Sequence, residues 1–375
     1  MQRIKIILVS LLLLTGFACR EPYKPDLISS PTAYLVVEGI LNAGNEPTTV
    51  RLTRTFKLDD TAKVKGEINA MVLVEGKDNT SRQLIMDGDG IYTSPGLNLV
   101  LKNEYRLRII TANGKEYLSD YVVAKNTPPI DSLGFIQNEK GVQIHVSTHD
   151  NTSDTRYYLW NYDETWEISS YYFSTYKYLN GQVVVRDPSD YVFTCWKYGN
   201  SSNILIGSSA SFQSDNIFRA PVALFANGDE KLDGRYSILL RQYALDKQGY
   251  EFYEMMKKNT ESLGSIFDAQ PLELKGNIRS ASDPNELVIG YVSAAVVVEK
   301  RFFISVIQLD KWNFYQDCPS INVRNNPDSI TDAHNSGLSF YSAIGAPFIT
   351  HYLAAVPFCV DCTERGGSLV KPSYW

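Results

Sequence analysis

The sequence lacks both a hydrophobic run long enough to cross a membrane and an excess of basic residues. The N-terminal apolar segment Ile6–Leu14 is far shorter than the roughly 20 residues that span a hydrocarbon core, and no later segment is long and apolar enough. Lysine and arginine number 36 against 42 acidic residues, which gives a net charge of -6. Because proteins bind nucleic acid largely by neutralising phosphate charge, this balance excludes nucleic acid as the main partner.

The chain also lacks the motifs that mark common catalytic sites. It contains no G-x-S-x-G, no H-E-x-x-H and no glycine-rich phosphate loop. His145 and His149 lie in a strand pattern, which separates them by about 13 Å and excludes a shared metal ion. None of the 42 acidic residues is marked as one of a carboxylate pair for glycoside cleavage. We therefore predict no catalytic residue, metal ligand or cofactor, and whether the protein is an enzyme stays open.

The N-terminus has the layout of an export signal. Basic residues precede the apolar segment, and the small residue Ala18 precedes Cys19. A cysteine in this position resembles the acylated cysteine of a bacterial lipobox. We predict a signal peptide over residues 1–18 and a lipidated, proline-containing tether over residues 19–32, with Cys19 as the lipidation site. The alternatives are a membrane-spanning helix and secretion with an unmodified cysteine.

Four further cysteines follow in the body of the chain. An even number in an exported protein predicts disulfides, and the sequence leaves all three pairings open. A redox-active C-x-x-C motif and a four-cysteine zinc site are the alternatives. The disulfide candidates are Cys195, Cys318, Cys359 and Cys362.

Residues 33–125 are typical of short strands joined by tight turns. Apolar and polar residues alternate in the segment 50–53, and Asn113-Gly114 favours a two-residue hairpin turn. Asp87–Gly90 lacks the later ligands of a calcium loop, so a turn is the preferred interpretation. About seven strands without a helical pattern predict an Ig-like or transthyretin-like β-sandwich.

A larger β-rich domain is predicted over residues 131–375. Pro128-Pro129 suits neither a helix interior nor a central strand and therefore indicates the domain boundary. One segment breaks the strand pattern, because Asp246 is a suitable N-cap for apolar residues at helical spacing. We predict one helix at about 247–262, packed against a sheet, in a mainly β fold.

The densest group of aromatic residues lies between Tyr157 and Tyr178. Tyrosine and tryptophan give a large contact area at low entropy cost, which suits sugar rings, peptides or a protein partner. Core packing is the alternative, since alternate strand positions share one face. The candidate binding platform consists of Tyr158, Trp160, Tyr162, Trp166, Tyr171 and Tyr172.

Several motifs taken together resemble one protein family. They are Leu35-Val36-Val37-Glu38-Gly39, Phe193-Thr194-Cys195-Trp196, the helix with Tyr250 and Phe252, Gly276-Asn277-Ile278, Val288-Ile289-Gly290-Tyr291 and Cys359-Val360-Asp361-Cys362. As a set they resemble the Bacteroidota outer-membrane lipoproteins catalogued as domain of unknown function 4249. The resemblance covers nearly the whole chain after the signal. It implies an outer-membrane location, commonly beside a TonB-dependent transporter, and carries over no catalytic residue.

These observations lead to one hypothesis and two alternatives. The hypothesis is a lipid-anchored outer-membrane lipoprotein that acts as an accessory or substrate-capture partner of a TonB-dependent transporter. Its partners are then the membrane, through the lipid anchor, the transporter, and a glycan or peptide ligand. The alternatives are a surface hydrolase acting on glycan or peptide, and an adhesive or structural envelope protein. The sequence leaves open whether the protein faces the periplasm or the cell surface.

Overall fold

A computed structural model describes residues 33–56, 64–261 and 274–375. The predicted signal peptide, the tether and the lipidation site Cys19 lie outside these residues. The structure is 47% strand and 13% helix, which confirms the predicted mainly β class. None of the helices in the described ranges is long and apolar enough to cross a membrane.

The strands are short and follow one another closely along the chain. The first segment contains β1 (Leu35–Asn42), β2 (Thr48–Arg54), β3 (Met71–Gly76), β4 (Ser81–Gly88), β5 (Ile91–Ser94), β6 (Glu104–Ile110), β7 (Glu116–Ser119) and β8 (Val122–Val123). The middle segment contains β9 (Ile130–Asn138), β10 (Gly141–Asp150), β11 (Tyr157–Ser169), β12 (Tyr176–Leu179), β13 (Gln182–Val185), β14 (Thr194–Asn200), β15 (Leu205–Ser208), β16 (Asp215–Phe225), β17 (Arg235–Leu245) and helix α1 (Lys247–Glu261). The last segment contains β18 (Ile278–Ser280), β19 (Val288–Ile289), β20 (Ser293–Ala295), β21 (Val298–Ser305), β22 (Ile321–Arg324), α2 (Pro327–Asn335), β23 (Ser339–Ile344), β24 (His351–Ala355) and α3 (Pro357–Val360).

The first unit is a single sheet in the order β18-β7-β6-β3-β4-β5-β2-β1-β19, with β8 beside β6 and β20 beside β1. Its two ends, β18 and β19, come into contact, so the sheet is nearly closed. Strand β6 shows how the sequence builds it. Leu107 and Ile109 are buried in the core, while Arg106 and Arg108, which alternate with them, form ion pairs with Glu75 on β3.

This sheet takes three strands from beyond the predicted domain boundary at Pro128-Pro129. Strands β19 and β20 pair in parallel with β1, and β18 pairs with β7. The buried core of the unit accordingly includes Ile278, Val288 and Val292. The chain therefore leaves the first unit, builds most of the second, and returns through residues 278–295. An Ig-like or transthyretin-like character of the first unit stays a prediction.

The second unit is a sandwich of two sheets. One has the order β16-β10-β9, and the other has the order β14-β11-β17-β21 with β15 also paired to β11. Val142 and Ile144 of the first sheet share a core with Tyr158, Trp160 and Ile238 of the second. We call the side of the five-stranded sheet that lies on this core its inner face, and the opposite side its outer face.

A buried amide joins this core to the link between the two units. Gln242 is fully buried, and its Oε1 accepts a hydrogen bond from Nε1 of Trp160 at 2.8 Å. Its Nε2 donates to the carbonyl oxygen of Pro128 at 2.8 Å and to Oγ1 of Thr148 at 3.0 Å. A buried amide left without partners costs about 1–3 kcal/mol, so these bonds hold the Pro128-Pro129 link in place.

Helix α1 confirms the one helix predicted, at nearly the predicted bounds. Asp246 caps it as expected, since its Oδ1 accepts a hydrogen bond from the backbone N–H of Gly249 at 2.7 Å. The exposed side of the helix carries ion pairs one turn apart, such as Lys258 with Glu254 at 3.1 Å. The short helices α2 and α3 were not predicted.

The C-terminal part is fastened by two disulfides. Cys195 bonds to Cys362 and Cys318 bonds to Cys359, which confirms the predicted disulfides and selects one of the three pairings. The first bridge ties strand β14 to the segment after α3, and the second ties α3 to the segment before β22. The two cysteines of the C-x-x-C motif form separate disulfides. Neither cysteine therefore supplies the free thiolate that a redox motif or a zinc site requires.

Candidate functional site: a cleft between the two units

The aromatic residues predicted as a binding platform do not form one surface. Tyr158 and Trp160 lie on the inner face with 0% and 2% of their surfaces exposed. Tyr162 and Trp166 pack against the same core, and burial raises the pKa of Tyr162 to about 12. Because alternate residues of a strand share a face, these four side chains point inward together. The platform prediction is wrong for Tyr158 and Trp160, which fill the core, while Tyr162 and Trp166 are half-buried against it.

The other two predicted platform residues lie past the end of β11. Tyr172 stacks on Tyr341 with ring centroids 4.0 Å apart and donates a hydrogen bond to the carbonyl oxygen of Cys318 at 2.7 Å. Tyr171 is 58% exposed and meets the Tyr172 ring edge-on at 4.8 Å. These two rings therefore belong to a separate surface near the second disulfide.

A cleft of about 820 Å³ lies between the outer face of the second unit and the first unit. Strand β1 forms one wall, and residues of β11, β17 and the start of β21 form the opposite wall. Helix α1 and the loop 201–204 border the cleft, and residues 289–291 lie at its base. Its volume falls in the range of about 300–1,000 Å³ that is usual for small-ligand sites.

Two glycines bring backbone segments into contact at the base of the cleft. A Cβ atom on Gly290 would lie 2.2 Å from the carbonyl oxygen of Val37, and one on Gly276 would lie 1.6 Å from that of Gly290. Asn277 adds a clamp, since its side chain donates to the carbonyl oxygen of Val292 at 2.9 Å and accepts from the N–H of Val292 at 2.8 Å. Only glycine permits this approach, which sets the position of β1 against the base.

Helix α1 is held at both ends. At its start, Asp246 accepts a hydrogen bond from the Tyr291 hydroxyl at 3.0 Å. Phe252 packs against the Tyr291 ring, with centroids 5.7 Å apart. At its end, Oε1 of Glu261 accepts a hydrogen bond from the backbone N–H of Ile204 at 2.6 Å. The helix therefore connects the base of the cleft with the loop on its far side.

An arginine with two carboxylate partners crosses the outer face. Arg241 of β17 contacts Asp163 of β11 at 2.6 Å and Glu299 of β21 at 2.8 Å. Burial lowers the pKa of Arg241, but the ion pairs with Asp163 and Glu299 outweigh burial, so the pKa is raised overall. The positive charge of the wall is thus already matched by two negative charges.

Two tyrosines and an asparagine line the wall beside this arginine. Burial raises the pKa of Tyr253, and the nearby Tyr243 and Glu38 raise it further. Burial also raises the pKa of Tyr243, although the neighbouring Asn161 amide acts in the opposite direction. Both phenols therefore stay neutral at physiological pH and can donate hydrogen bonds. The Oδ1 atom of Asn161 is buried and has no hydrogen-bond partner.

The wall formed by the first unit is acidic. Glu38 on β1 and Glu46 in the following turn are exposed and line the cleft. Neither carboxylate forms an ion pair within the described ranges. Arg51 stands opposite Glu38 in the β1–β2 ladder, but their charged groups are not within ion-pair distance.

Most residues of this site were not predicted from the sequence. Asn161, Arg241, Tyr243 and Tyr253 were not named as binding residues. One usable signal was the polar residues that alternate with the aromatic ones in β11, such as Asn161. Another was the resemblance itself, because the motifs Leu35–Gly39 and Val288–Tyr291 and the helix with Phe252 all border the cleft.

The two histidines that the sequence analysis rejected as metal ligands lie away from the cleft. His145 and His149 both lie on β10. His149 contacts Asp131 at 2.7 Å, and this hydrogen bond raises its pKa. Burial and the nearby charge of Arg219 lower the pKa of His145. Across the described ranges, no group of three or more histidine, cysteine, aspartate or glutamate side chains is placed to hold a metal ion.

Comparison with known proteins gives one family. The family model described as "Domain of unknown function (DUF4249)" matches residues 20–301, which run from the start of the predicted tether to the middle of β21. This range includes every segment that borders the cleft. No curated protein matches the chain.

Proposed function

The chain belongs to the DUF4249 family, and we propose that it is a lipid-anchored outer-membrane lipoprotein that captures a ligand for a TonB-dependent transporter. The cleft between the two units is the observation that carries this proposal. It combines a ligand-sized volume, partly exposed phenols that can donate hydrogen bonds, and two exposed carboxylates without an ion-pair partner in the described ranges. Concave sites that combine apolar and aromatic side chains with a few polar groups are the usual sites of ligand binding in proteins.

Acylation of Cys19 holds the protein at the membrane, where the proposed capture function requires it. A lipid anchor confines the protein to the plane of the membrane, where a transporter also lies. Tethering two partners in this way raises their effective concentration without any new contact between them. The TonB-dependent transporter enters the proposal through the resemblance of the chain to outer-membrane lipoproteins.

Co-purification tests the proposal. The full chain with a C-terminal affinity tag is extracted in mild detergent, and a Cys19→Ala variant serves as the matched control. We expect a β-barrel transporter to be recovered with the wild-type chain and lost or reduced with the variant. Recovery of the chain without any β-barrel protein would contradict the proposed partnership.

An exposed aromatic cluster favours the adhesive function as a second candidate. Phe173 is 46% exposed, and its ring lies 4.9 Å from that of Tyr191 and 5.3 Å from that of Phe193. Contiguous groups of exposed apolar side chains mark interaction sites on many proteins. The double variant Phe173→Ser with Tyr191→Ser should abolish attachment of cells to a glycan-coated surface if adhesion is the function. Unchanged attachment would exclude this cluster as an adhesive site.

A further inference from the structure

The charges that line the cleft are unbalanced. Glu38, Glu46 and Glu299 contribute three carboxylates to its lining, against the single guanidinium of Arg241. That guanidinium is already bound by Glu299 and by Asp163 just outside the lining. Arg51, the nearest unpaired cation on the β1–β2 ladder, does not line the cleft. The cleft therefore presents a net negative field to anything that enters it.

The charged groups of the cleft that have no ion-pair partner are hydrogen-bond acceptors. The carboxylates of Glu38 and Glu46 are exposed and have no ion-pair partner in the described part of the chain. An ammonium or guanidinium group supplies only donors, three or five of them, and no acceptor. A cationic group is thus the complement of what this cleft leaves unsatisfied.

The remaining surface of the cleft is apolar and aromatic. Tyr243 and Tyr253 are partly exposed, and Met256 and Ile289 lie beside them. The face of a phenol ring attracts a nearby cation, and methionine adapts to apolar groups of varied shape. The surroundings therefore favour a ligand that carries apolar side chains next to its positive charge.

We infer that the cleft binds a basic peptide segment, with lysine or arginine side chains directed at Glu38 and Glu46 and apolar side chains directed at Tyr243 and Tyr253. This inference rests on the proposed capture function and names its ligand class. The volume of about 820 Å³ accommodates a segment of a few residues rather than a folded domain.

Binding of three matched peptides tests the inference. The basic probe is Gly-Lys-Phe-Arg-Lys-Phe-Gly, labelled with fluorescein. The neutral probe has serine and asparagine in place of its charged residues, and the acidic probe has glutamate and aspartate there. Fluorescence anisotropy is measured with the full chain in detergent. We expect the basic probe to bind about tenfold or more tightly than the neutral one, and the acidic probe not to bind. Binding should weaken as the salt concentration rises toward about 1 M, because the Debye length then falls to about 3 Å and the attraction between charges is screened.

Substitutions locate the binding. Glu38→Gln should weaken binding of the basic probe about two- to fivefold, as expected for one partly solvated ion pair, and adding Glu46→Gln should bring the loss to about tenfold. Glu139→Gln is the matched control, because Glu139 is also exposed but lies in the β9–β10 turn. Equal losses with Glu38→Gln and Glu139→Gln would overturn the inference.

The other outcomes separate this inference from the capture function. Tighter binding of the neutral or acidic probe, or displacement of the basic probe by maltohexaose, would overturn the basic-peptide class while leaving a ligand in the cleft. Absence of binding by the basic probe at millimolar concentration would also overturn it. Failure of the capture function shows in a different measurement, the recovery of the chain without a β-barrel partner.

Discussion

The two faces of the five-stranded sheet use neighbouring residues for opposite purposes. On the inner face, Trp160 is 2% exposed and its indole N–H is satisfied by Gln242. One position later on the outer face, Asn161 lines the cleft, and its buried Oδ1 has no hydrogen-bond partner. At these two positions the inner indole is satisfied and the outer amide oxygen is not, although Nε1 of Trp166 on the inner face also lacks a partner.

This difference separates what holds the fold from what is free to bind. Satisfied hydrogen bonds and buried rings stabilise the native state, so changes on the inner face should cost folding free energy. Arg241, Tyr243 and Glu299 on the outer face keep partial contact with solvent. Changes there should alter binding and leave stability close to that of the wild type.

The largest expected effect comes from Trp160→Ala on the inner face. Removing a buried tryptophan costs about 3–5 kcal/mol, and the unpaired oxygen of Gln242 adds about 1–3 kcal/mol. Urea unfolding followed by circular dichroism measures this loss. Asn161→Ala is the matched outer-face control and should change the free energy of unfolding by less than about 1 kcal/mol. Equal losses of unfolding free energy in the two variants would contradict the distinction between the two faces.

The disulfide beside the inner core should have the next largest effect. Replacing Cys195 and Cys362 together by alanine removes a bridge that spans 167 residues, and we expect a loss of about 2–5 kcal/mol. The bridge between Cys318 and Cys359 spans 41 residues, so its removal should cost about 1 kcal/mol less in the chain-entropy model. Thermal unfolding of both double variants tests the order, and a larger loss for the shorter bridge would contradict it.

Gly290→Ala should destabilise the base of the cleft by about 1–3 kcal/mol. Gly290 has a φ of +143°, and a Cβ atom there would lie 2.2 Å from the carbonyl oxygen of Val37. Because this contact sets β1 against the base, the variant should also weaken binding of the basic probe. Gly114→Ala is the control, since its φ is also positive but no atom lies within 4 Å of the added carbon. Full binding by Gly290→Ala would show that the base does not shape the cleft.

The smallest effect should come from His149, which lies away from the cleft. Asp131 raises the pKa of His149 in the folded protein above its usual value of about 6.5. The protonated histidine therefore stabilises the fold fully below that value, and this contribution is lost as the pH rises through the raised pKa. The melting temperature of His149→Gln should lie below that of the wild type near pH 5.5 and should match it near pH 8.5. A difference that grows with pH would contradict this assignment.

Local patterns predicted the elements, and contacts between distant segments decided the site. The alternation in β11 correctly indicated that Tyr158, Trp160 and Tyr162 share a face. It could not say that the face is buried, because tyrosine and tryptophan suit both a core and a binding surface. Helix α2 was missed although Asn326 caps it and Pro327 begins it, since nine residues give a weak periodic signal.

The cleft itself could not be predicted from local sequence patterns. Its walls come from β1 and from β17, about two hundred positions later, and its base comes from β19 and the residues that follow. The parallel pairing of β1 with β19 and β20 brings these segments together, and parallel pairing leaves no turn signal between the strands. The paired cysteines are likewise far apart in the sequence, so local patterns could not select one of the three disulfide pairings.

Hydrogen–deuterium exchange of the full chain with and without the basic probe is the most direct test of the cleft as the binding site. We predict that the probe slows exchange in β1, in α1 and in residues 288–291, and that Glu38→Gln reduces this protection. Unchanged exchange in these three segments, with protection confined to the backbone amides around Tyr171 and Phe173, would contradict the cleft as the binding site.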